Sequence, residues 1–301
     1  MKILITGGAG HIGSFLIKRF CNLPKIKKIY IIDSYYYENF YSMFNLNSKK
    51  IVKIHHDILN FDFKKFAKVD MTIHLAATTN PTKSFQNKKL IFKNLLITKK
   101  IVNYCNSKKS ILIFPSSTSV YGSKNNYVYE DDIKSLNPQS PYAEVKVLEE
   151  NYIRKNCKFN FLIFRLGTIY GISRGMRFHT AVNKFCLQLV FNKQITIWRK
   201  NFNFMRPYLY LGDFSRILSE IIKGKKIDYN QTYNLVSNNL KLKSIIFFLK
   251  KIKKNLQLKF VNTKLISQHS YQVSNEKIKK FNFIFLGNIE KEIKKTIRLF
   301  N

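Results

Sequence analysis

Residues 6–13 read Thr6-Gly7-Gly8-Ala9-Gly10-His11-Ile12-Gly13 and directly follow the apolar segment 2–6. A helical apolar pattern near 12–22 comes after them. Glycine permits a tight turn between strand and helix and lets a ligand approach the backbone closely. The N-terminus of the following helix offers free N–H groups and a positive dipole end to a pyrophosphate. In this context the turn predicts a dinucleotide site, with a glycine turn that binds no ligand as the alternative.

A carboxylate, Asp33, ends the second apolar segment at 28–33, about 20 residues after the last glycine of the turn. In a βαβ nucleotide-binding unit, a carboxylate at this place accepts hydrogen bonds from the adenosine ribose. Residues 34–37 read Ser-Tyr-Tyr-Tyr and contain no arginine or lysine that could hold a 2′-phosphate. We therefore predict NAD, rather than NADP, as the cofactor.

Short apolar segments alternate with helical patterns through the first half of the chain, which predicts a parallel sheet covered on both faces. The predicted strands are 2–6, 28–33, 51–55, 70–75, 110–116 and 159–165, and the helices are 12–22, 87–106 and 141–156. Further on, helices near 178–191, 210–223, 241–254 and 289–299 are joined by strands near 231–236 and 257–261. The pattern predicts a doubly wound α/β domain over 1–170 and a smaller α/β lobe over 171–301 that is partly interleaved with it.

The 301 residues are 45% hydrophobic, which suffices for a full core. No apolar run reaches the ~20 residues of a membrane span, and the start of the chain lacks the features of a signal peptide. Cysteines occur without a CxxC pair, at Cys21, Cys105, Cys157 and Cys186. This distribution argues against a disulfide scaffold and against zinc, and it predicts a cytoplasmic protein.

The formal charge is +36, with basic residues spread along the chain rather than gathered in one block. Such a charge would suit a polyanionic partner. Lysine, asparagine, isoleucine, phenylalanine and tyrosine are all abundant, however, and these residues share AT-rich codons. No zinc-finger spacing, RNP-type motif or basic-zipper heptad is present. We therefore favour a compositional origin of the charge and predict no specific nucleic-acid partner.

Several further segments make the chain resemble the extended short-chain dehydrogenase/reductase family, and within it the NAD-dependent nucleotide-sugar epimerase/dehydratase branch. The segments are TGGAGHIGS at 6–14, IIDS at 31–34, HDI at 56–58, HLAA at 74–77, FPSSTSVYG at 114–122, PQSPYAEVK at 138–146, FRLGTIYG at 164–171 and MRPYLYLGD at 205–213. Their order and spacing extend over nearly the whole chain. The resemblance implies a Rossmann-type fold and a catalytic set of Ser117, Tyr142 and Lys146.

The spacing of Tyr142 and Lys146 suits this chemistry, because residues four apart share one face of a helix. A phenol with an ordinary pKa near ~10 is a poor base at neutral pH. A lysine ammonium and an oxidised nicotinamide nearby would both favour the phenolate. Tyr142 would then take a proton from a sugar hydroxyl while hydride leaves the same carbon. Ser117 would bond and orient the reacting oxygen.

The resemblance also implies the residues that hold the ligands. For the cofactor these are Gly7, Gly10, His11, Ile12, Gly13, Asp33, Asp57, Ile58, Leu75, Ala76, Ala77, Tyr142 and Lys146. For the substrate they are Ser117, Thr118, Tyr142, Thr168 and Arg206. Asp57 is expected beside the adenine amino group, and Arg206 on the substrate diphosphate, which a planar guanidinium suits. A surface salt bridge from Arg206 to Asp213 or a neighbour is the alternative, and we expect His74 and Arg165 to be structural.

Members of the branch share the first oxidation step and differ in the later ones. Its 4,6-dehydratases have an Asp-Glu pair directly after the serine or threonine, and its UDP-glucuronate decarboxylases have a glutamate at the position of Ser119. Here Thr118 and Ser119 come directly after Ser117, so an epimerase of the 4-epimerase type, in surface polysaccharide synthesis, is favoured. A reductase or dehydrogenase of a nucleotide-linked keto sugar is the alternative, and a non-catalytic dinucleotide- or RNA-binding protein is the alternative of another class.

Two departures from the branch affect the substrate site. Thr168 stands where an asparagine is common, and the second phosphate-binding arginine is not evident around 270–273. Lys264, His269 or an arginine within 174–177 could replace it.

By analogy with the family, we expect a homodimer formed through helices 87–106 and 141–156. No metal is predicted, because the histidines other than His74 show no ligand spacing; they are His11, His55, His56, His179 and His269.

Overall fold

The computed structural model describes residues 1–36, 38–79, 85, 88–122, 127–262 and 270–300. Its strands are β1 (Lys2–Thr6), β2 (Lys28–Asp33), β3 (Ile51–His55), β4 (Met71–His74), β5 (Ile111–Ser117), β6 (Tyr127–Val128), β7 (Phe161–Leu166), β8 (Thr168–Tyr170), β9 (Ile195–Trp198), β10 (Met205–Tyr210), β11 (Gln231–Leu235), β12 (Asn238–Lys241), β13 (Leu258–Val261) and β14 (Gln272–Val273). Its α-helices are α1 (His11–Cys21), α2 (Lys88–Lys108), α3 (Pro141–Asn156), α4 (Ala181–Val190), α5 (Leu211–Lys223), α6 (Leu242–Ile252), α7 (Glu276–Lys279) and α8 (Ile289–Arg298).

Seven parallel strands form the large sheet, in the order β11-β7-β5-β4-β1-β2-β3. The chain reverses its direction of travel across the sheet after β3, so β1 and β4 lie side by side at the switch point. Thr6 of β1 is in register with His74 of β4 there. The predicted Rossmann-type fold is confirmed.

Helices cover both faces of the large sheet, which explains why its strands are apolar throughout. On one face, Ile17 and Phe20 of α1 and Phe214 of α5 belong to one core cluster. On the other face, Ile101 of α2 and Ile153 of α3 belong to a second cluster. Both faces of the sheet are therefore buried.

The small lobe is built from the three-stranded sheet β12-β10-β8 and the two-stranded sheet β13-β9. Its core joins apolar side chains of α4, α6 and α8, among them Phe185, Leu249 and Ile293. The chain passes between the large sheet and the small lobe more than once. Strand β10 belongs to the small lobe, and the next strand, β11, pairs with β7 in the large sheet. A division at residue 170 remains a proposal.

Candidate active site

A cleft of about 620 Å³ opens at the carboxyl ends of the central strands, between the large sheet and the small lobe. Ligands of open α/β sheets bind at this place because the loops diverge at the switch point. Apart from the candidates for a second phosphate-binding group, every residue that the sequence predicted for the cofactor, the substrate or catalysis lines the cleft. Tertiary structure thus brings the whole predicted set together, while the role of each member remains a prediction.

The glycine turn after β1 forms one wall of the cleft and has no room for side chains. Gly7 has φ +70°, and a Cβ atom on it would lie 2.6 Å from the backbone nitrogen of Ala76. Gly13 lies so close to the turn that its Cβ would be 2.6 Å from the Cα of Gly8. Gly10 is the N-cap of α1 and has no side chain to occupy the first N–H groups. The turn therefore fits a bound pyrophosphate.

Two carboxylates line the cleft beyond this turn. Asp33 accepts hydrogen bonds from the backbone N–H groups of Ala9 and Tyr35, both at 2.8 Å. Asp57 lies 3.0 Å from the ammonium of Lys93. Although partial burial opposes the charged form, the hydrogen bonds and the charge of Lys93 lower the pKa of Asp57. Both carboxylates are thus held by neighbouring groups of the protein, as an adenosine site requires.

The predicted catalytic side chains come from two elements that meet beside the cleft. Ser117 ends β5, and α3 begins at Pro141 after the N-cap Ser140, whose hydroxyl accepts a hydrogen bond from Ala143. Tyr142 and Lys146 are 8% and 3% exposed, so their shared helix face points inward. The hydroxyl of Ser117 accepts a hydrogen bond from the backbone N–H of Ser119 at 3.1 Å, and its influence lowers the pKa of the Tyr142 phenol.

Burial dominates the proton affinity of Tyr142. It raises the pKa of the phenol, and the charge of Glu149 adds to the increase. Lys146, Ser117 and Arg177 act in the opposite direction, so the sequence-based expectation for Lys146 has the correct sign. Because burial outweighs them, however, the net pKa of Tyr142 is raised.

The ammonium of Lys146 lies between a carboxylate and an aromatic ring. It is 2.9 Å from Oε2 of Glu149 and 4.5 Å from the ring centre of Phe114. Burial lowers the pKa of Lys146, but Glu149 and Tyr142 raise it more, and the net change is upward. Sequence reasoning missed Glu149, although its spacing of three residues from Lys146 on a helix was a usable signal.

The substrate half of the cleft contains Arg206 on β10, packed beside two rings. Its guanidinium is 5.4 Å from the ring centre of Phe204 and 5.9 Å from that of Tyr271, and burial lowers its pKa. The hydroxyl of Tyr271 donates to the backbone oxygen of Thr118 at 2.9 Å. Tyr271 thus contacts both Arg206 and Thr118, the residue after Ser117. The sequence did not predict this connection.

The alternative partner of Arg206, Asp213, is engaged elsewhere. Its buried carboxylate pairs with Arg216 and accepts hydrogen bonds from Ser237 and from the backbone of Gly287. Among the described residues, the proposed Arg206–Asp213 salt bridge is not formed. Arg206 instead lines the cleft.

The two residues expected to be structural are both deeply buried. Arg165 is 1% exposed and holds Glu150 through its Nε and Nη2 atoms. His74 hydrogen-bonds Thr6 and Thr98, at 2.7 and 3.2 Å. Burial, with a contribution from the charge of Lys146, lowers the pKa of His74 to about 3, so its ring is neutral. Neither residue acts as a base at neutral pH.

Of the candidates for a second phosphate-binding group, Arg177 lines the cleft, whereas Arg174 donates to the backbone oxygen of Phe44. Lys264 and His269 lie outside the described residues. Lys184, which the sequence did not single out, also lines the cleft from α4. Arg177, Lys184 and Arg206 therefore bring positive charge to several points of the cleft.

The acidic residues that line the cleft, within the described part of the chain, are Asp33 and Asp57. Both belong to the predicted adenosine site, so the described lining next to Tyr142 contains no carboxylate. Across the same described residues, no group of three His, Cys, Asp or Glu side chains is close enough to hold a metal ion. No described helix combines the length and apolarity needed to cross a membrane.

Comparison with known families identifies one that covers most of the chain. A family described as "NAD dependent epimerase/dehydratase family" matches residues 3–235. The chain is 32% identical over 256 residues to a dTDP-D-glucose 4,6-dehydratase of Dictyostelium discoideum, covering 78% of this chain and 58% of that protein. It is 30% identical over 223 residues to an ADP-L-glycero-D-manno-heptose-6-epimerase of Brachyspira hyodysenteriae, covering 70% and 69%.

Comparison with solved structures supports the fold. A UDP-glucuronic acid 4-epimerase from Bacillus cereus, in complex with UDP-glucuronic acid and NAD, matches with a TM-score of 0.90. The match covers 100% of this chain and 99% of that chain at 23% sequence identity. At this identity the likeness concerns the fold alone.

Proposed function

This chain belongs to the NAD-dependent epimerase/dehydratase family, and from that membership we propose that it is a nucleotide-sugar epimerase of the 4-epimerase type. Membership confirms the cofactor prediction, NAD. The proposal within the family is carried by one observation. The described lining beside Tyr142 offers a hydroxyl-bearing set, Ser117, Thr118 and Thr168, and no carboxylate.

In the proposed reaction, Tyr142 accepts the proton of a sugar hydroxyl and later returns it to the carbonyl oxygen of the keto sugar. Ser117, which lines the cleft together with Tyr142, orients the reacting oxygen. The charge of Lys146 favours the phenolate during proton transfer. NAD, when bound, accepts the hydride and gives it back. The cycle needs no other acid or base, because the second half reverses the proton movement of the first.

A dehydratase reaction requires more than this site offers. Elimination of water needs a general acid and a base near the reacting carbons, beyond the residue that oxidises the hydroxyl. Thr118 and Ser119 occupy the positions of the Asp-Glu pair, and neither hydroxyl ionises at neutral pH. Thr118 donates to the backbone oxygen of Leu166 at 3.2 Å, which suits a structural or binding role. We therefore do not propose a dehydratase reaction, although one relative of the chain is a dehydratase.

A nucleoside diphosphate is the proposed carrier of the sugar. Arg206 is partly buried on β10 and lines the cleft, and Lys184 lines the same cleft. A planar guanidinium can hold two phosphate oxygens at once, and a lysine supplies a second positive charge. NAD at the glycine turn and a nucleotide sugar between Arg206, Thr168 and Tyr142 would fill opposite halves of the cleft.

The test begins with the purified protein, which is denatured and assayed for released NAD. The native protein is then incubated with UDP-, GDP- and dTDP-sugars without added cofactor. Bound NAD and redox-neutral conversion of one sugar would support the epimerase, and Tyr142→Phe should lower kcat by about 10³-fold because it removes the proton acceptor. Far-ultraviolet circular dichroism of the variant serves as the folding control.

Turnover only after NADH or NADPH is supplied would replace this proposal by a keto-sugar reductase. Absence of both turnover and dinucleotide binding would contradict the catalytic assignment itself. Filter binding of RNA at rising salt would then test the non-catalytic alternative, since binding driven by charge weakens with salt.

We further propose that the enzyme forms a homodimer through α2 and α3 and serves surface polysaccharide synthesis in the cytoplasm. Both helices carry exposed apolar side chains, with Phe92, Leu96 and Leu148 exposed by 43%, 53% and 42%. An isologous contact would bury these side chains in each copy. Light scattering at micromolar concentration tests the dimer, and a monomer would contradict it.

A further inference from the structure

We propose that Glu149, through a buried chain of hydrogen bonds that reaches Thr6 on β1, is a positioning residue that holds Lys146 beside Tyr142. The proposal rests on the proposed function, since it concerns the same proton acceptor. It adds a residue that lies behind the cleft rather than on its wall. Tyr142, Lys146 and Glu149 succeed each other along one face of α3.

The ion pair of Glu149 and Lys146 is almost inaccessible, with the two side chains exposed by 1% and 4%. Removing two charges from water costs several kcal/mol per ion before their attraction is counted. The pair also crosses to a second helix, because the hydroxyl of Thr98 on α2 donates to Oε1 of Glu149 at 2.6 Å. Glu149 is thereby fixed from two sides, and Lys146 with it.

The hydrogen bonds beyond Thr98 have only one consistent direction. An ionised carboxylate can only accept, so Thr98 must donate to Glu149 and accept from Nε2–H of His74. A neutral His74 that donates through Nε2 must accept through Nδ1, and its partner is the hydroxyl of Thr6 at 2.7 Å. The hydroxyl of Thr6 in turn accepts from the backbone N–H of Ala76 at 3.3 Å.

This chain of bonds connects the two functional halves of the cleft. It begins at Lys146, beside the proton acceptor, and ends at Ala76, whose backbone closes the space next to Gly7. Each member is held by a neighbour from another element, so none can rotate independently. A displacement of Glu149 would therefore shift its direct partners, Lys146 and Thr98, and through Thr98 it would shift His74.

Glu149 also brings a negative charge close to the reaction centre. Apart from burial, the charged groups that act on Tyr142 are Lys146 and Glu149 from its own helix and Arg177 from the small lobe. Glu150 acts on Lys146 from α3, and Lys146 acts on His74 of β4. Of these groups only Glu149 opposes Lys146 and Arg177 at the phenol, so its removal should make Tyr142 more acidic.

The test compares Glu149→Gln, which removes the charge and preserves the shape, with Glu144→Gln on the exposed side of the same helix. In Glu149→Gln the acid limb of the kcat/KM profile should move to lower pH by roughly 0.5 to 1 unit. The maximal kcat should fall by about 10-fold because Lys146 is less well held. Glu144→Gln should leave both quantities unchanged.

A titration of the phenol itself needs no turnover. The full chain, labelled with ¹³C at the tyrosine Cζ and saturated with NAD, is titrated by nuclear magnetic resonance, and Tyr142→Phe identifies the resonance among 17 tyrosines. The Tyr142 resonance should titrate at lower pH in Glu149→Gln than in the wild type. This measurement decides the proposal even if no nucleotide sugar is converted and the proposed function fails.

Thr98→Val supplies the second variant, because it cuts the link to His74 and leaves the charge of Glu149 in place. Here kcat should fall by about 10-fold while the acid limb stays at the wild-type pH. The proposal is overturned if Glu149→Gln behaves like Glu144→Gln, or if the Tyr142 titration is unmoved. If Glu149→Gln does not fold, an unchanged kcat in Thr98→Val overturns it.

Discussion

Glu149 and Glu150 are adjacent on α3, both almost fully buried and both paired with a cation, yet they serve different parts of the molecule. Glu150 faces β7, where Arg165 binds it through Nε and Nη2, and it also bonds Ser116 and Arg154. Glu149 pairs with Lys146, which itself lines the cleft. A helical step of one residue turns the side chain by about 100°, which separates the two roles.

The two carboxylates also differ in the number of cations that act on them. Glu150 has cations on both sides, so Arg165 and Arg154 lower its pKa despite complete burial. The charge of Lys146 is shared between Glu149 and the phenol of Tyr142. In the Glu150 cluster every charge is paired within the cluster, so the cluster stabilises the fold. In the Glu149 cluster the charge of Lys146 also acts on Tyr142, so its interactions change when Tyr142 gains or loses a proton. Buried ion pairs of the same kind can therefore have structural or functional roles.

The largest expected effect is on stability, at the structural pair. Glu150→Gln should lower the free energy of unfolding by about 3–5 kcal/mol, because it leaves Arg165 buried without its counter-charge. Urea denaturation followed by circular dichroism measures this, with Glu144→Gln as the matched control. A loss below about 1 kcal/mol would mean that the cluster does not hold the fold as described.

A smaller loss of stability is expected from Arg165→Lys, which keeps the positive charge but removes the planar guanidinium with its several N–H donors. Arg165 reaches Glu150 with Nε and Nη2, and Tyr121 with Nη1 at 2.7 Å, and a lysine cannot make these bonds together. The free energy of unfolding should fall by about 1.5–3 kcal/mol. The kcat/KM profile should keep its acid limb, and a shift of that limb would show that the two clusters are coupled.

The last expected effect is a pH dependence of stability and concerns His74, the neutral member of the Glu149 chain. Its folded pKa is about 3, below the ordinary value of 6.5, so the unfolded chain binds more protons between these limits. Stability is thus full above pH 6.5 and falls as the pH is lowered towards 3. His74→Asn should reduce this slope by up to about 1.4 kcal/mol per pH unit.

Urea denaturation from about pH 4 to 7 measures the slope in both proteins, across the window in which His74 titrates in the unfolded chain. His11, whose pKa burial lowers to about 4, contributes equally to each and cancels in the comparison. An identical slope in the variant would mean that His74 is not held neutral in the folded protein, and the direction assigned to its hydrogen bonds would be wrong.

The sequence by itself determined the local structure and predicted residues that the fold brings to one cleft. Predicted strands such as 2–6 and 28–33 have the observed bounds, and the helix predicted over 141–156 runs from Pro141 to Asn156. These features depend on apolar periodicity, on glycine and proline at turns and on short spacings. Such signals are readable because the interactions behind them span only a few residues.

Tertiary structure alone decided which buried groups meet. Thr98 and Glu149 are 51 residues apart, and Thr6 and His74 are 68 apart. No local pattern predicts these contacts, since they depend on how α2, α3, β1 and β4 pack together. The same packing made the net pKa of Tyr142 higher than spacing suggested, because spacing reveals Lys146 but not the extent of burial. The chain thus encodes its chemical groups locally, and their proton affinities arise from the fold.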